Sequence, residues 1–429
     1  MKNLKLILLL CLVFILSITA VACGSEPVGT ETAPHTSVTT APTTTLTETS
    51  AVTTTVVVTE ATTAAVTTEA PKQFASLKIG DTPISEYTIV YARSEYAPYL
   101  KMPTMKKYFP IYDFDRETAE RLSDMIYNLS GIRLNIVEDV GHAETANEIL
   151  IGDTNRDFPT NVVVNSLKDD DYIIDVLDTK LAICGGVYGT TWHALDYLEE
   201  YLAKMLDEGA TEYSFDADYQ YQGSYHMVRI ACIGDSITEA ANIGAGREMV
   251  SYPAQMGRIL WKDAIVTNLG SSGATMRNDL NAYTQRAVYQ TALKIAAETD
   301  LFTVMLGTND SFFDSSWTEA DSQKFNEDCL AIFKSLWDKN QNLRFVLANC
   351  PRYFGNGGWA SVTVRGLQRN LISTLNDAGY PTTIFDMFTA TSDMGSYFPD
   401  DLHPNEEGYM IMAQKFAEGL LPVIKDLQK

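Results

Sequence analysis

The octet 232–239, CIGDSITE, directly follows the largely apolar run 227–231, MVRIA. A short apolar run that is bounded by Gly and Asp is typical of a buried strand that ends in a turn. Gly, Asp and Ser are ordinary turn residues, so the octet alone permits a purely structural interpretation. The alternative is that Ser236 is a nucleophile at the tip of a sheet. That alternative requires a base, a residue that orients the base, and oxyanion donors elsewhere in the chain.

The region around the octet, 226–429, alternates strands with helices. We predict strands over 228–234, 264–269, 301–306, 344–349 and 382–386, and helices over 252–261, 286–298, 325–339, 363–378 and 406–426. This alternation predicts a parallel sheet with helices on both faces, which is a three-layer α/β/α domain. In such sheets ligands bind beyond the carboxyl ends of the strands, where the octet lies.

Polar clusters follow three more of the predicted strands: NLGSSGAT at 268–275, GTND at 307–310 and PDDLHPNEEGY at 399–409. With CIGDSITE they resemble, in order, the four sequence blocks of the SGNH or GDSL hydrolases. Those blocks centre on a Ser, a Gly, an Asn, and a His with an Asp three residues before it. The resemblance implies a flavodoxin-like SGNH fold and a serine hydrolase.

The resemblance assigns a catalytic triad to this region. Ser236 is the nucleophile, His403 the base and Asp400 the residue that orients the imidazole. His403 is the only one of the five histidines that lies at a strand-to-helix junction beside a carboxylate. Asp401 is adjacent but has the wrong spacing, so we interpret it as a loop residue.

The same family stabilises the oxyanion with the nucleophile's own N–H, a glycine N–H and an asparagine side chain, which correspond to Ser236, Gly273 and Asn309. Gly270 is the competing glycine. The sequence departs from the family pattern at Ala240, where the family often has Gly, and this departure concerns the loop after the nucleophile.

Other active-site classes fit less well. Thr238 interrupts the Gly-x-Ser-x-Gly elbow of α/β-hydrolases, and no ligand spacing in this region predicts a metal, so we expect neither a metal nor a cofactor. Trp317 and Trp359 lie on loops near the polar clusters and could stack on sugar rings, although packing explains them equally well. Arg247 could contact substrate, but a solvated surface residue is the simpler interpretation.

A first α/β domain is expected over 74–221. Strands are predicted within 87–92, 133–139, 148–154 and 171–186, with a helix at 190–205 and another at 115–131. For the latter helix we predict Asp115 as the N-cap and Gly131 as the stop. The motifs GDT (152–154) and GGVYGTTWHALDYLEEYL (185–202) resemble the N-terminal accessory domain of α-glucuronidases. That domain is not catalytic, so no active-site residue is implied here.

The N-terminus has the composition of a targeting segment. A basic start, a short apolar core and the sequence AVAC predict a bacterial lipoprotein signal at 1–23, in which Cys23 is lipidated. Simple secretion and an uncleaved anchor are the alternatives. The threonine-rich stretch 24–73 is expected to be a disordered tether, because it has few large apolar side chains. The protein is therefore expected on the outer face of the membrane, and its net charge of −23 argues against nucleic acid as a partner.

These observations together predict an exported serine ester hydrolase that works through an acyl-enzyme. A polysaccharide that carries acetyl groups is the favoured substrate, because of the surface tether, the glycoside-hydrolase-like accessory domain and the loop aromatics. The alternatives are a lipid-directed esterase or lysophospholipase, and a surface carbohydrate-binding protein that has lost activity.

Overall fold

The structure is a computed structural model, and it describes residues 72–94, 113–156, 166–244, 246–313, 316–356 and 361–429. The predicted signal with Cys23, nearly all of the tether, and Trp359 lie outside the described residues. Glu69–Lys429 form one compact unit that contains two large sheets. No helix in the described part of the chain is long and apolar enough to cross a membrane.

The first large sheet has six strands in the order β4-β3-β5-β7-β6-β9. They are β3 (Thr88–Tyr91), β4 (Asn135–Glu138), β5 (Glu148–Ile151), β6 (Asp171–Leu177), β7 (Lys180–Gly185) and β9 (Gln220–Ser224). The first four neighbours are parallel, whereas β6 is antiparallel to β7 and β9. A small sheet of β1 (Ser76–Ile79), β2 (Thr82–Pro83) and β8 (Glu212–Phe215) lies in the same region.

Two long helices accompany the first sheet, α1 (Phe114–Ser130) and α2 (Tyr188–Asp207). The prediction that Asp115 caps α1 is wrong, because the helix begins one residue earlier and the side chain of Asp113 accepts the N–H of Arg116. Asp115 is instead buried in the first turn, with 4% of its surface exposed. The predicted stop is confirmed, since Gly131 ends α1 with a φ of 73°.

The second large sheet confirms the predicted fold class. Its five strands are β10 (Val228–Gly234), β11 (Ala264–Gly270), β12 (Leu301–Met305), β13 (Arg344–Ala348) and β14 (Thr382–Phe385). All are parallel, in the order β11-β10-β12-β13-β14. Because β10 lies between β11 and β12, the chain crosses to opposite sides of it, and the end of β10 is the switch point where such sheets bind ligands.

Helices cover both faces of this sheet. In chain order they are α3 (Ser236–Glu239), α4 (Arg247–Val250), α5 (Tyr252–Ile259), α6 (Ala287–Ile295), α7 (Thr308–Phe313), α8 (Glu319–Trp337), α9 (Ser361–Asp377), α10 (Met387–Ala390) and α11 (Glu406–Leu427). Ile230 and Cys232 of β10 pack in one core with α5 and α11, whereas Ala231 and Ile233 pack in the other with α6, α8 and α9. Alternate residues of β10 therefore face opposite layers, as period-2 strands require.

Candidate active site

The polar segments that follow the strands meet at one edge of the second sheet. Ser236 begins α3 directly after β10, and α7 begins shortly after β12. His403 lies after β14, in the segment between α10 and α11. Because the strands are parallel, their carboxyl ends share this edge, which brings residues that are far apart in the sequence close together.

Ser236, His403 and Asp400 form a hydrogen-bonded chain at this edge. The Oγ of Ser236 is 2.8 Å from Nε2 of His403, and Nδ1 of His403 is 2.7 Å from Oδ2 of Asp400. Ser236 is 8% exposed and the His403 side chain is 19% exposed, so both are largely shielded from solvent. In this arrangement one imidazole nitrogen can accept the hydroxyl proton while the carboxylate holds the other nitrogen.

Asp400 is oriented by the main chain as well as by the imidazole. Its Oδ1 accepts the N–H groups of His403 and Leu402 at 2.6 and 3.1 Å, which leaves Oδ2 for the imidazole. Burial alone would raise the pKa of Asp400, but these hydrogen bonds outweigh it and hold the pKa below its ordinary value. The carboxylate is therefore suited to stabilise an imidazolium cation.

The two further candidate oxyanion donors lie on adjoining segments. Asn309 is in the first turn of α7, and its Nδ2 donates to the carbonyl oxygen of Ala274 at 3.0 Å. The preceding residue, Gly273, has a φ of 73°, which favours glycine. The competing Gly270 already donates its N–H to Oδ1 of Asn268 at 2.8 Å. The geometry therefore favours Gly273 as the backbone donor.

Glu239 connects the nucleophile helix to the glycine loop, and the sequence analysis did not select it. One of its carboxylate oxygens accepts the N–H of Ser272 at 2.6 Å, and the other is 2.7 Å from Nη1 of Arg247. A Cβ at Gly270 would lie 2.2 Å from the main-chain nitrogen of Glu239, so glycine is required there for packing. Arg247, considered as a substrate contact, is thus engaged in an ion pair at the rim.

Asn242 connects the nucleophile loop to the histidine loop. Its Nδ2 donates to the carbonyl oxygen of Pro404 at 2.9 Å, and its Oδ1 accepts the hydroxyl of Tyr409 at 3.0 Å. Pro404 directly follows His403, so Asn242 restrains the base relative to Ser236. Asparagine in an unremarkable loop gives no sequence signal for this role.

Two buried carboxyl groups, those of Asp310 and Asp235, hold main-chain segments near the candidate site in place. Asp310, which is fully buried, accepts the N–H groups of Met276 and Arg277 at 2.9 Å each and so fixes the glycine loop to α7. Asp235 caps α3 by accepting the N–H of Ile237 at 2.9 Å. Burial raises the pKa of each carboxyl to about 6. Asp310 lies in the GTND motif and Asp235 in the GDS motif, and these motifs are the sequence signal that could have identified both residues.

Two positions that the sequence left open have a defined environment. Ala240 adopts the left-handed conformation, with a φ of 59°, so the loop after α3 makes the turn that glycine would make more easily. The indole N–H of Trp317 donates to Ser322 at 2.9 Å, and its ring packs near Phe325 with centroids 6.1 Å apart. These contacts fit the packing interpretation of Trp317. Among the described residues, no group of His, Cys, Asp and Glu is arranged to hold a metal ion.

Comparison with known families identifies the domain that contains the candidate site. Residues 232–411 match the model of the GDSL-like Lipase/Acylhydrolase family. The matched segment runs from β10 into α11 and contains every residue of the candidate triad and oxyanion site. The C-terminal region of the chain therefore holds a GDSL-like lipase/acylhydrolase domain.

An acetylxylan esterase from Xylanibacter ruminicola is 36% identical over 218 residues, which cover 46% of this chain and 43% of that protein. The chain thus spans less than half the length of this relative. Among solved structures, a carbohydrate acetylesterase from Sinorhizobium meliloti is 16% identical with a TM-score of 0.36, covering 46% of this chain and 99% of that one. An aryl esterase from M. smegmatis is 19% identical with a TM-score of 0.35, covering 45% and 98%. At these identities the function has to be argued from the site itself.

Proposed function

We propose that this protein is an exported serine esterase that removes acetyl groups from a polysaccharide. The observation that carries the proposal is the hydrogen-bonded chain from Asp400 through His403 to Ser236, with Asn309 on the adjoining helix. The similarity to an acetylxylan esterase supports the choice of substrate.

The proposed reaction passes through an acyl-enzyme on Ser236. Its Oγ attacks the ester carbonyl while Nε2 of His403 takes the hydroxyl proton. The N–H groups of Ser236 and Gly273 and the amide of Asn309 stabilise the oxyanion. The tetrahedral intermediate collapses as its bond to the sugar oxygen breaks, and His403 gives its proton to that oxygen, which leaves as a hydroxyl group. Water then attacks the acyl-enzyme in the same way, which releases acetate and restores Ser236.

The test compares the purified protein on p-nitrophenyl acetate and p-nitrophenyl palmitate, with Ser236→Ala as the control for turnover at the site. We expect hydrolysis of the acetate and little of the palmitate. Acetate release from acetylated xylan, mannan, pectin and peptidoglycan then identifies the polysaccharide. Preference for palmitate would favour the lipid-directed enzyme. No hydrolysis of any ester would favour the inactive carbohydrate-binding protein.

Export and anchoring belong to the same proposal and rest on the sequence pattern at 1–23. A lipid on Cys23 followed by a threonine-rich tether would hold the esterase at the cell surface, where polysaccharide is available. Cys23→Ala should move the protein from the membrane fraction to the medium or the soluble fraction. An unchanged membrane fraction would contradict lipidation at this residue.

A further inference from the structure

A second cavity lies at the carboxyl ends of the parallel strands of the first sheet. Its volume is about 550 Å³, and its lining includes Arg93, Asp115, Gly152, Asp153, Gly186 and Tyr188. Gly152 directly follows β5, and Gly186 directly follows β7. This is the edge at which parallel α/β sheets bind ligands, and none of the proposed catalytic residues lines the cavity.

Asp115 is the residue of this cavity that requires explanation. It is 4% exposed, and none of the residues that the structure describes donates a hydrogen bond to its carboxyl group. Burial, together with Asp113, Asp139 and Asp153, raises its pKa well above the ordinary value. A buried polar group without a partner is costly and rare in folded proteins. The cost is understandable where a ligand supplies the missing hydrogen bonds.

The cavity is shaped by two glycines that cannot be replaced without strain. A Cβ at Gly152, whose φ is 74°, would lie 2.7 Å from the carboxyl group of Asp115. A Cβ at Gly186 would lie 2.0 Å from the carbonyl oxygen of Lys168. Glycine at 152 keeps the space over the carboxyl group clear of a side chain, and glycine at 186 permits the close approach of the main chain at Lys168.

The lining favours an uncharged ligand with hydroxyl groups. Asp115 and Asp153 disfavour an anion, and the described residues contain no arrangement of ligands for a metal ion. Arg93 offers guanidinium N–H donors, of which Nε lies 3.5 Å from Oε1 of Glu138. Carboxyl acceptors, N–H donors and the ring of Tyr188 together match the hydroxyls and the apolar face of a sugar.

The cavity continues toward the esterase domain. Val187 and Tyr188 also line a neighbouring cavity of about 410 Å³, whose lining includes Met249 and Trp261. Met249 belongs to α4, the helix that begins at Arg247, and Arg247 contacts the carboxylate that holds the glycine loop of the active site. The two cavities thus share lining residues, and the second one is lined in part by α4, the helix that begins at Arg247.

We propose that the cavity around Asp115 is a second carbohydrate-binding site, which holds an unesterified stretch of the polysaccharide whose acetylated units react at Ser236. The choice of a sugar as the ligand rests on the proposed function, whereas the evidence for a binding site comes from the residues at the edge of the first sheet. Binding at a site remote from the reacting ester would lower KM for a polymer and leave KM for small esters unaffected.

The test is calorimetric titration of xylohexaose into the full chain carrying Ser236→Ala, with and without Asp115→Ala. We expect Asp115→Ala to raise Kd by roughly ten- to a hundredfold, the effect of losing hydrogen bonds from one buried polar group. The matched control is Asp175→Ala, which removes another buried carboxyl of the same sheet that does not line the cavity and should leave Kd unchanged.

Stability distinguishes a binding role from a structural one. Removing a carboxyl that only a ligand satisfies should leave the urea midpoint at pH 7.5 unchanged or higher, whereas removing a structural carboxyl should lower it. A Kd that Asp115→Ala does not change overturns the proposal, as does Asp115-dependent binding of Ca²⁺ without binding of xylohexaose. If Asp115→Ala does not fold, the exposed Arg93 is replaced instead. We expect Arg93→Ala to raise the Kd for xylohexaose. An unchanged Kd would again refute the site.

This result is separable from the proposed function, because xylohexaose carries no ester and its binding needs no hydrolysis. Binding that depends on Asp115, without acetate release from any polysaccharide by the wild type, would overturn the proposed function and leave the site. Acetate release by the wild type, together with a Kd that Asp115→Ala leaves unchanged, would support the proposed function and overturn the second site.

Discussion

Replacing Asp400 by Asn tests the triad with the least change in shape, and the structure determines how the new amide must lie. Oδ1 of Asp400 accepts two main-chain N–H groups, those of Leu402 and His403. An amide nitrogen at that position would face two donors, so the carbonyl oxygen of Asn has to take it. The amide N–H₂ group then faces Nδ1 of His403, where Asp400 now presents an acceptor.

The consequence is the wrong tautomer of His403. Facing a donor, Nδ1 becomes an acceptor and the proton moves to Nε2, the nitrogen that must accept the proton of Ser236. Restoring the productive tautomer costs about 1–3 kcal/mol, as for any lost hydrogen bond that leaves a donor unpaired, or roughly 10- to 100-fold in rate. The carboxylate also stabilises the imidazolium through a charge-assisted hydrogen bond. Because the side chain of Asp400 is 52% exposed, solvent screening limits that second contribution to about tenfold. We therefore expect kcat/KM to fall by roughly 10²–10³.

The assay is kcat/KM on p-nitrophenyl acetate for the wild type and Asp400→Asn, together with ¹⁵N NMR of the imidazole, which distinguishes the two tautomers. Asp401→Asn, one residue further in the same loop, is the matched control and should retain the wild-type rate. The two main-chain hydrogen bonds survive in Asp400→Asn, so the urea midpoint should change little. A rate within fivefold of the wild type, or a proton that remains on Nδ1, would refute the assignment of Asp400.

Four further outcomes are expected. Ser236→Ala should abolish ester turnover while the circular dichroism spectrum stays unchanged; residual turnover near the wild-type rate would remove Ser236 from the mechanism. Asn309→Ala should lower kcat on p-nitrophenyl acetate by roughly 10²–10³, and a loss below threefold would exclude it as an oxyanion donor. The unfolding free energy should rise as pH falls from 8 to 5. Asp235 and Asp310 have folded pKa values of about 6 against about 4 when unfolded, so their stabilisation is complete below pH ~4 and lost through pH ~6; a lower urea midpoint at pH 5 than at pH 8 would contradict this. A fragment of residues 226–429 should fold and hydrolyse p-nitrophenyl acetate, and an inactive soluble fragment would show that the first domain completes the site.

The second sheet could be predicted from sequence because each of its strands is a compact apolar run followed by a polar turn. The bounds of β10 agree with the predicted 228–234, and the other four strands differ by one residue at most. α8 begins at Glu319, six residues before the predicted start, because Thr318 caps the helix through Asp321 ahead of its apolar stripe. The apolar pattern showed where α8 is buried, and the cap determined where it begins.

Elements without a periodic pattern were not predicted. β9 has the sequence QYQGS and alternates exposed and half-buried residues at the sheet edge, so composition gives little signal for a strand. It continues to Ser224, beyond the predicted end of the first domain at 221. The helices α3, α4 and α10 have four residues each, which is shorter than the window in which helical periodicity can be recognised.

The start of α1 shows how tertiary packing decides between equivalent local signals. Asp113 and Asp115 are both acceptable N-caps, and each precedes a run of helix-forming residues. In the folded chain Phe114 stacks on Trp261 of the second domain, with ring centroids 4.7 Å apart. Beginning the helix at Phe114 makes that contact, and it buries Asp115 instead of exposing it as a cap. The contact spans 147 residues of sequence, so no local pattern could show it.

The candidate catalytic residues at the second sheet could be selected from motifs, but the residues that hold them in place could not. Glu239 acts by contacting Ser272, and Asn242 acts by contacting Pro404. Each contact joins loops that follow different strands, so it depends on the order of strands in the sheet. A sequence pattern reports neighbours along the chain and does not report which loops become adjacent at the sheet edge.

Buried carboxyl groups with raised pKa values lie at the carboxyl ends of both sheets, yet their surroundings differ. At the second sheet Asp235 and Asp310 each accept main-chain N–H groups, which explains why the fold tolerates their burial. At the first sheet Asp115 is equally buried, and the described residues offer its carboxyl group no such donor. Asp310 is held by main-chain donors at both of its oxygens and Asp235 at Oδ1, whereas Oδ2 of Asp235 has no partner among the described residues. The carboxyl of Asp115 accepts no hydrogen bond from the described residues and lines a cavity large enough for a sugar, so we expect a ligand to supply its partners.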